Sequence, residues 1–187
     1  MMKNKCWYNL NIDISNSLNK DWVFGDNLYI TFPKPYQIFN SIWLTYMESL
    51  HLPIKEVAVF YKNKYFHDPF AHIDIGSNRE SLLFGLNWVY GGEGSKMIWY
   101  NFPENFSTEG NIKETPLGGI FCSVNVTDSL KIDERIIDRR PVLVRVNMPH
   151  RIEMGSEPRW CVSARLTLPQ NNWEDLTKDL LSKNLIS

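Results

Sequence analysis

Cysteine is scarce in this chain of 187 residues: Cys6, Cys122 and Cys161 are odd in number and far apart. That excludes a disulfide framework and a cysteine-built zinc site, and it suits a reducing compartment. Arginine is absent from the first 78 residues; after Arg79 all the others fall between Arg135 and Arg165. No apolar run reaches the roughly 18–20 residues needed to span a bilayer. Residues 1–16 alternate polar with apolar instead of forming the continuous apolar stretch of a secretory signal. The net charge of −1 lacks the basic excess of a nucleic-acid-binding domain. There is no GxSxG elbow, and the Gly-Gly-Glu-Gly run at 91–94 lacks the Lys-Ser/Thr that follows a phosphate-binding loop. What these absences leave is a soluble, cytoplasmic, single-domain protein over 1–187, with no membrane and no duplex nucleic acid among its expected partners.

What is present is β-rich. Residues 22–25 and 28–32 read as extended, aromatic-rich pieces. Pro33 and Pro35 then precede Phe39, Ile42, Trp43, Tyr46 and Leu50 at helical spacing, which predicts a helix over about 35–51 that ends before Pro53. From Ile54 onward, short β-branched and aromatic segments alternate with turn residues: 56–61, 82–89, 97–100, 119–126, 142–148 and 159–168. Such a series predicts a mainly β antiparallel sandwich or barrel. Residues 131–140 read as a solvated charged loop holding Arg135, Arg139 and Arg140. Asn172 is placed to cap a last helix over about 172–185 carrying Trp173, Leu176, Leu180 and Leu185.

Of the four histidines, His51 ends the first predicted helix and His67 reads as a turn residue beside Asp68. His72 belongs to a different pattern, FAHIDIG. In a strand, His72 and Asp74 project to one face while Ile73 and Ile75 take the other. His150, at the end of a later strand, completes two imidazoles and one carboxylate, the facial set of non-haem Fe(II) oxygenases. Nine residues on, Arg159, Cys161, Ser163 and Arg165 share one face of the last strand. Two arginines on such a face need an anion, either a ligand or carboxylates such as Glu153 or Glu157.

The ordered set His72-x-Asp74, His150, Arg159 resembles the Fe(II)- and 2-oxoglutarate-dependent dioxygenases, over roughly 56–168. It is most similar to small prolyl- and aspartyl-hydroxylase-like members. The resemblance implies a double-stranded β-helix, or jelly roll, with flanking helices on one sheet. It implies Fe(II) on His72, Asp74 and His150, with 2-oxoglutarate and O₂ as co-substrates. Arg159 would take the distal carboxylate of 2-oxoglutarate, and Arg165 a cofactor carboxylate or an acidic substrate. Ser163, Asn87 and Tyr100 would line the cofactor pocket. Arg79 would steer an anionic substrate or cover the barrel mouth. Cys161 departs from the Arg-x-Ser of many members. The expected activity is hydroxylation of a small polar molecule or a peptide residue. The alternative is a non-catalytic jelly-roll binding module with a structural metal, and a multi-histidine cupin site has too few histidines.

Overall fold

The computed structural model describes residues 5–14, 17–19, 33–65, 70–76, 81–115, 119–166 and 168–187. The extended pieces expected at 22–25 and 28–32, together with His67 and Arg79, lie outside them. In chain order the strands are β1 (Trp7–Asn9), β2 (Ile54–Lys62), β3 (Ala71–Ile75), β4 (Phe84–Gly91), β5 (Lys96–Tyr100), β6 (Ile112–Glu114), β7 (Ile120–Val124), β8 (Lys131–Ile136), β9 (Val142–Arg145), β10 (His150–Glu153) and β11 (Arg159–Leu166). The helices are α1 (Pro35–Ile38), α2 (Ser41–Ser49) and α3 (Trp173–Ser182). The protein is thus mainly β, with few helices, and its strands form two antiparallel sheets. One runs β1-β9-β4-β11-β2, the other β6-β7-β3-β10-β5-β8.

Strand alternation divides the five-stranded sheet into two chemically different faces. Val57 and Val59 of β2, Leu86 and Trp88 of β4, Leu143 of β9, and Val162 and Ala164 of β11 form one apolar core with Ile38, Phe39, Trp43 and Met47 and with Trp173, Leu176 and Leu180. The three α-helices of the described residues therefore all contribute to the core on one face of this one sheet. Phe39, Trp43 and Trp88 meet ring to ring at 5.0–5.5 Å. Trp88 is almost wholly buried, and burying a side chain of this size stabilises the fold by about 2–3 kcal/mol. The opposite face of the sheet is only half apolar. Val142, Val144 and Val146 pack against Met97 and Trp99 of β5, whereas β11 turns Arg159, Cys161 and Ser163 toward a cavity.

Three local expectations change. The helix expected over 35–51 is broken, because Phe39 is extended (φ −103°, ψ 143°) and Asn40 restarts the helix by accepting the Ile42 N–H at 2.9 Å. Residues 131–136 are not a loop but strand β8, at the edge of the six-stranded sheet. Its charged residues disguised it; on an edge strand such residues also discourage pairing with another chain. Arg135 on β8 is buried, donating to Asp138 Oδ1 at 2.8 Å and Asn9 Oδ1 at 3.0 Å, with its guanidinium 4.7 Å from the Trp7 ring centre. The last change is that His150 opens a strand of its own, β10, while the preceding strand stops at Arg145.

At the C-terminus, Asn172 Oδ1 accepts the Asp175 N–H at 2.8 Å and caps α3, and the helix ends at Ser182. Asn172→Ala is expected to lower stability by about 1 kcal/mol with an unchanged denaturant slope; a urea titration followed by circular dichroism measures it.

Candidate metal centre

The centre forms where β10 inserts beside β3. His150 lies directly across from His72 in the antiparallel register, and across from Trp99 on its other side. The two imidazole rings are 4.5 Å apart, centre to centre. Asp74, two residues along from His72, shares that face. Asp74 Oδ1 lies 3.7 Å from His72 Nε2 and 3.7 Å from His150 Nε2. One ligand atom from each of the three residues falls within 4.8 Å of the other two. Donors at about 2.1 Å from an octahedral ion stand about 3 Å apart, so closure by an ångström or so would seat a cation. The group can therefore hold a metal ion.

Backbone contacts keep the ligands in place. The Asp74 N–H donates to the Val146 carbonyl at 3.1 Å, and the Tyr100 N–H donates to the Pro149 carbonyl at 2.9 Å. Trp99 Nε1–H donates to the Arg145 carbonyl at 2.7 Å. The connection from β9 to β10 is thus held from both neighbouring strands immediately before His150. His150 Nδ1 lies 2.9 Å from the Met148 carbonyl oxygen. A carbonyl only accepts, so Nδ1 carries a proton toward it, which leaves Nε2 as the ring's ligand atom on the cavity side.

The carboxylate is oriented as firmly. Arg165 Nη2 donates to Asp74 Oδ2 at 2.5 Å, leaving Oδ1 toward the histidines. Burial pushes the Asp74 carboxyl up, but Arg165, His150 and His72 together outweigh it and hold the group below the ordinary carboxylate range. Glycine makes this pairing feasible: a Cβ on Gly85 would lie 2.1 Å from Arg165 Nη1. Gly92, at φ +70°, similarly leaves room for Arg159, whose Cβ would be 2.6 Å from any side chain there.

A cavity of about 530 Å³, measured out to its open mouth, adjoins the three ligands. Asn87, Arg159, Cys161 and Ser163 line it from β4 and β11, and Phe60 and Lys62 from β2. Arg159 is buried, and its Nη1 has no hydrogen-bond partner; Asn87 Oδ1, also buried, has none. An unsatisfied buried donor costs about 1–3 kcal/mol, more for a charged group. An anion in the cavity would remove that cost at Arg159.

The sequence-level site residues divide accordingly. The structure gathers His72, Asp74, His150, Arg159, Ser163 and Asn87 at one cavity. Arg165 does not line it, because its guanidinium is committed to Asp74. The carboxylate facing Arg165 is therefore neither Glu153 nor Glu157 but a ligand of the centre. Tyr100 is also elsewhere. It alternates with Met97 and Trp99 along β5, so it points to the other face and packs with Ala71 and Ile98. Lys62 and Phe60 escaped the sequence reading. The expected strand stopped at residue 61, one short of Lys62, and alternation along β2 was the signal that would have placed both on the cavity face.

Among the described residues, no helix is long and apolar enough to cross a membrane. A scan against protein-family models found no match for this chain, and a search of curated proteins found none either.

Proposed function

We propose that this protein is an Fe(II)- and 2-oxoglutarate-dependent dioxygenase that hydroxylates a small polar molecule or a peptide residue. The observation that carries this reading is the pairing of two features in one cavity: a His-Asp-His facial set, and a buried Arg159 whose Nη1 lacks a partner. The sheet order also favours it. Two four-strand groups, β9-β4-β11-β2 and β3-β10-β5-β8, with β1 and the β6-β7 pair at sheet edges, have a chain that crosses between the sheets at each step except β5 to β8, which is the connectivity a jelly roll would have.

His72 and His150 would hold the iron through Nε2 and Asp74 through Oδ1. Three protein ligands would leave coordination positions open for a 2-oxo acid and for O₂. Bound there, the iron and its co-substrate supply oxidative chemistry in which 2-oxoglutarate and O₂ yield succinate, CO₂ and a hydroxylated C–H bond. The chain's own residues do the positioning. Arg159 offers a planar fork to a carboxylate, and Lys62, its cross-strand partner, adds a second cation to the same wall. Arg165 keeps Asp74 Oδ2 occupied, so that one carboxylate oxygen faces the metal position. Phe60, Met97, Val146 and Ile152 supply apolar lining, which limits the water reaching the centre.

The test is anaerobic loading with Fe(II) and measurement of succinate after O₂ is admitted. Wild-type protein is expected to form succinate from 2-oxoglutarate. Arg159→Lys keeps the charge but loses the fork, so it is expected to weaken 2-oxoglutarate binding by about tenfold or more while iron stoichiometry is unchanged. No succinate from iron-loaded wild type overturns the enzyme reading. Stoichiometric metal without turnover would instead mark a binding module with a structural metal.

A further inference from the structure

Beside the metal centre, on the same face of the six-stranded sheet, lies a short row of side chains that the proposed chemistry leaves unused. Along β3 and the residue before it, Phe70, His72 and Asp74 share one face by alternation. In the register of β3 with β7, Ser123 lies across from His72 and Phe121 across from Asp74. Lys113 on β6 lies across from Phe121 in turn. The Phe121 ring meets His72 edge-on at 5.9 Å and stacks with Phe70 at 6.0 Å, the planes only 17° apart. Lys113 Nζ is 4.6 Å from the Phe70 ring centre.

Among the described residues, core packing does not account for these rings. The opposite face of β3 and β7 is the buried one, where Ile73, Ile75, Cys122 and Val124 pack with Phe106. Phe70 and Phe121 are half-buried, and neither is among the residues that pack into the apolar clusters. Among the described residues Lys113 has no carboxylate partner, and alternation turns its neighbour Glu114 to the other face. The result is a stacked pair of rings with a cation over the Phe70 ring, starting one ring away from a histidine of the candidate metal centre.

We infer that Phe70, Phe121 and Lys113 form the substrate platform of this centre, and that the substrate is a small molecule with a flat ring bearing an anionic group. The inference rests on the proposed dioxygenase activity only for the word substrate; the binding itself does not require turnover. A planar ring finds an aromatic face, and its carboxylate or phosphate meets the Lys113 ammonium. A substituent of that ring then lies toward His72 and the cavity. The same chemistry is offered by an aromatic carboxylate and by a purine nucleoside monophosphate, which the test separates.

Four probes are titrated into the full-length protein loaded with Mn(II), using calorimetry for affinity and paramagnetic broadening of probe protons for proximity to the metal. They are 2-naphthoate, adenosine monophosphate, cyclohexanecarboxylate (anionic but not flat) and 2-naphthalenemethanol (flat but neutral). One of the first two is expected to bind about tenfold tighter than both controls, with its ring protons broadened by Mn(II). Whichever does so identifies the source. Phe121→Leu and Lys113→Gln are each expected to cut that affinity several-fold, with unchanged circular dichroism. Equal binding of all four probes, or full affinity in both variants, overturns the platform. Selective binding in a protein that forms no succinate would instead overturn the enzyme reading and leave the platform standing.

Discussion

Replacing His72 by alanine is expected to take metal stoichiometry from one ion per chain to none and to bring succinate formation down to background. The expectation follows from the arrangement of the three ligands. Asp74 Oδ1 stands at equal distance from the two imidazole nitrogens, so removing either ring leaves a two-ligand remnant with no facial geometry. The fold should survive the change. His72 is partly exposed, and its cross-strand neighbours, His150 and Ser123, keep their own backbone pairing. Circular dichroism should therefore be unchanged while inductively coupled plasma analysis shows the loss of metal. Equal succinate from wild type and His72→Ala would remove the three-residue centre from the account altogether.

The second large effect concerns Arg165. Its side chain and that of Asp74 are both mostly buried, 12% and 19% exposed. Removing one partner of such a pair leaves a buried charge unmatched, at a cost of about 3 kcal/mol or more. Arg165→Leu is expected to lose that much stability in urea titrations of the metal-free protein. It should also weaken metal binding, because Asp74 loses the donor that orients its Oδ1. Gly85→Ala should reproduce part of both effects without touching either charge, since its Cβ would occupy the guanidinium's place.

The pH dependence has a definite sign. The Asp74 carboxyl titrates below its ordinary value in the fold, and carboxylates of this kind titrate near 3.9 when unfolded. Its contribution is thus complete above about pH 4 and is lost as pH falls through the lower folded value. The acid limb of the stability curve should be shallower in Arg165→Leu than in wild type. An identical acid limb and full stability in Arg165→Leu would show that the ion pair carries none of this.

Much of the architecture was legible from the order of residues alone, because alternation is a local property. Ile73 and Ile75 against His72 and Asp74, or Trp160 and Val162 against Arg159 and Cys161, assign faces without any knowledge of the partner strand. The same reasoning found the cap at Asn172 and the apolar stripe of α3. It failed where charge dominated a strand, as in β8, and where a strand ran one residue further than its apolar pattern, as β2 does at Lys62.

Tertiary structure decided which partner each polar group receives. Arg159 and Arg165 are indistinguishable in the sequence: same type, same face, six residues apart. Only the packing of β3 against β11 commits Arg165 to Asp74, while Arg159 stands in the cavity wall with its buried Nη1 unpartnered. Tyr100 shows the same limit: alternation separates it from Met97 and Trp99, but which of those two faces meets the cavity follows only from the pairing of β5 with β10. The row from His72 through Phe121 to Phe70 and Lys113 likewise spans three regions of the chain. Periodicity is written along one segment, whereas ion pairs, cavities and ring contacts depend on which segments the sheet brings side by side.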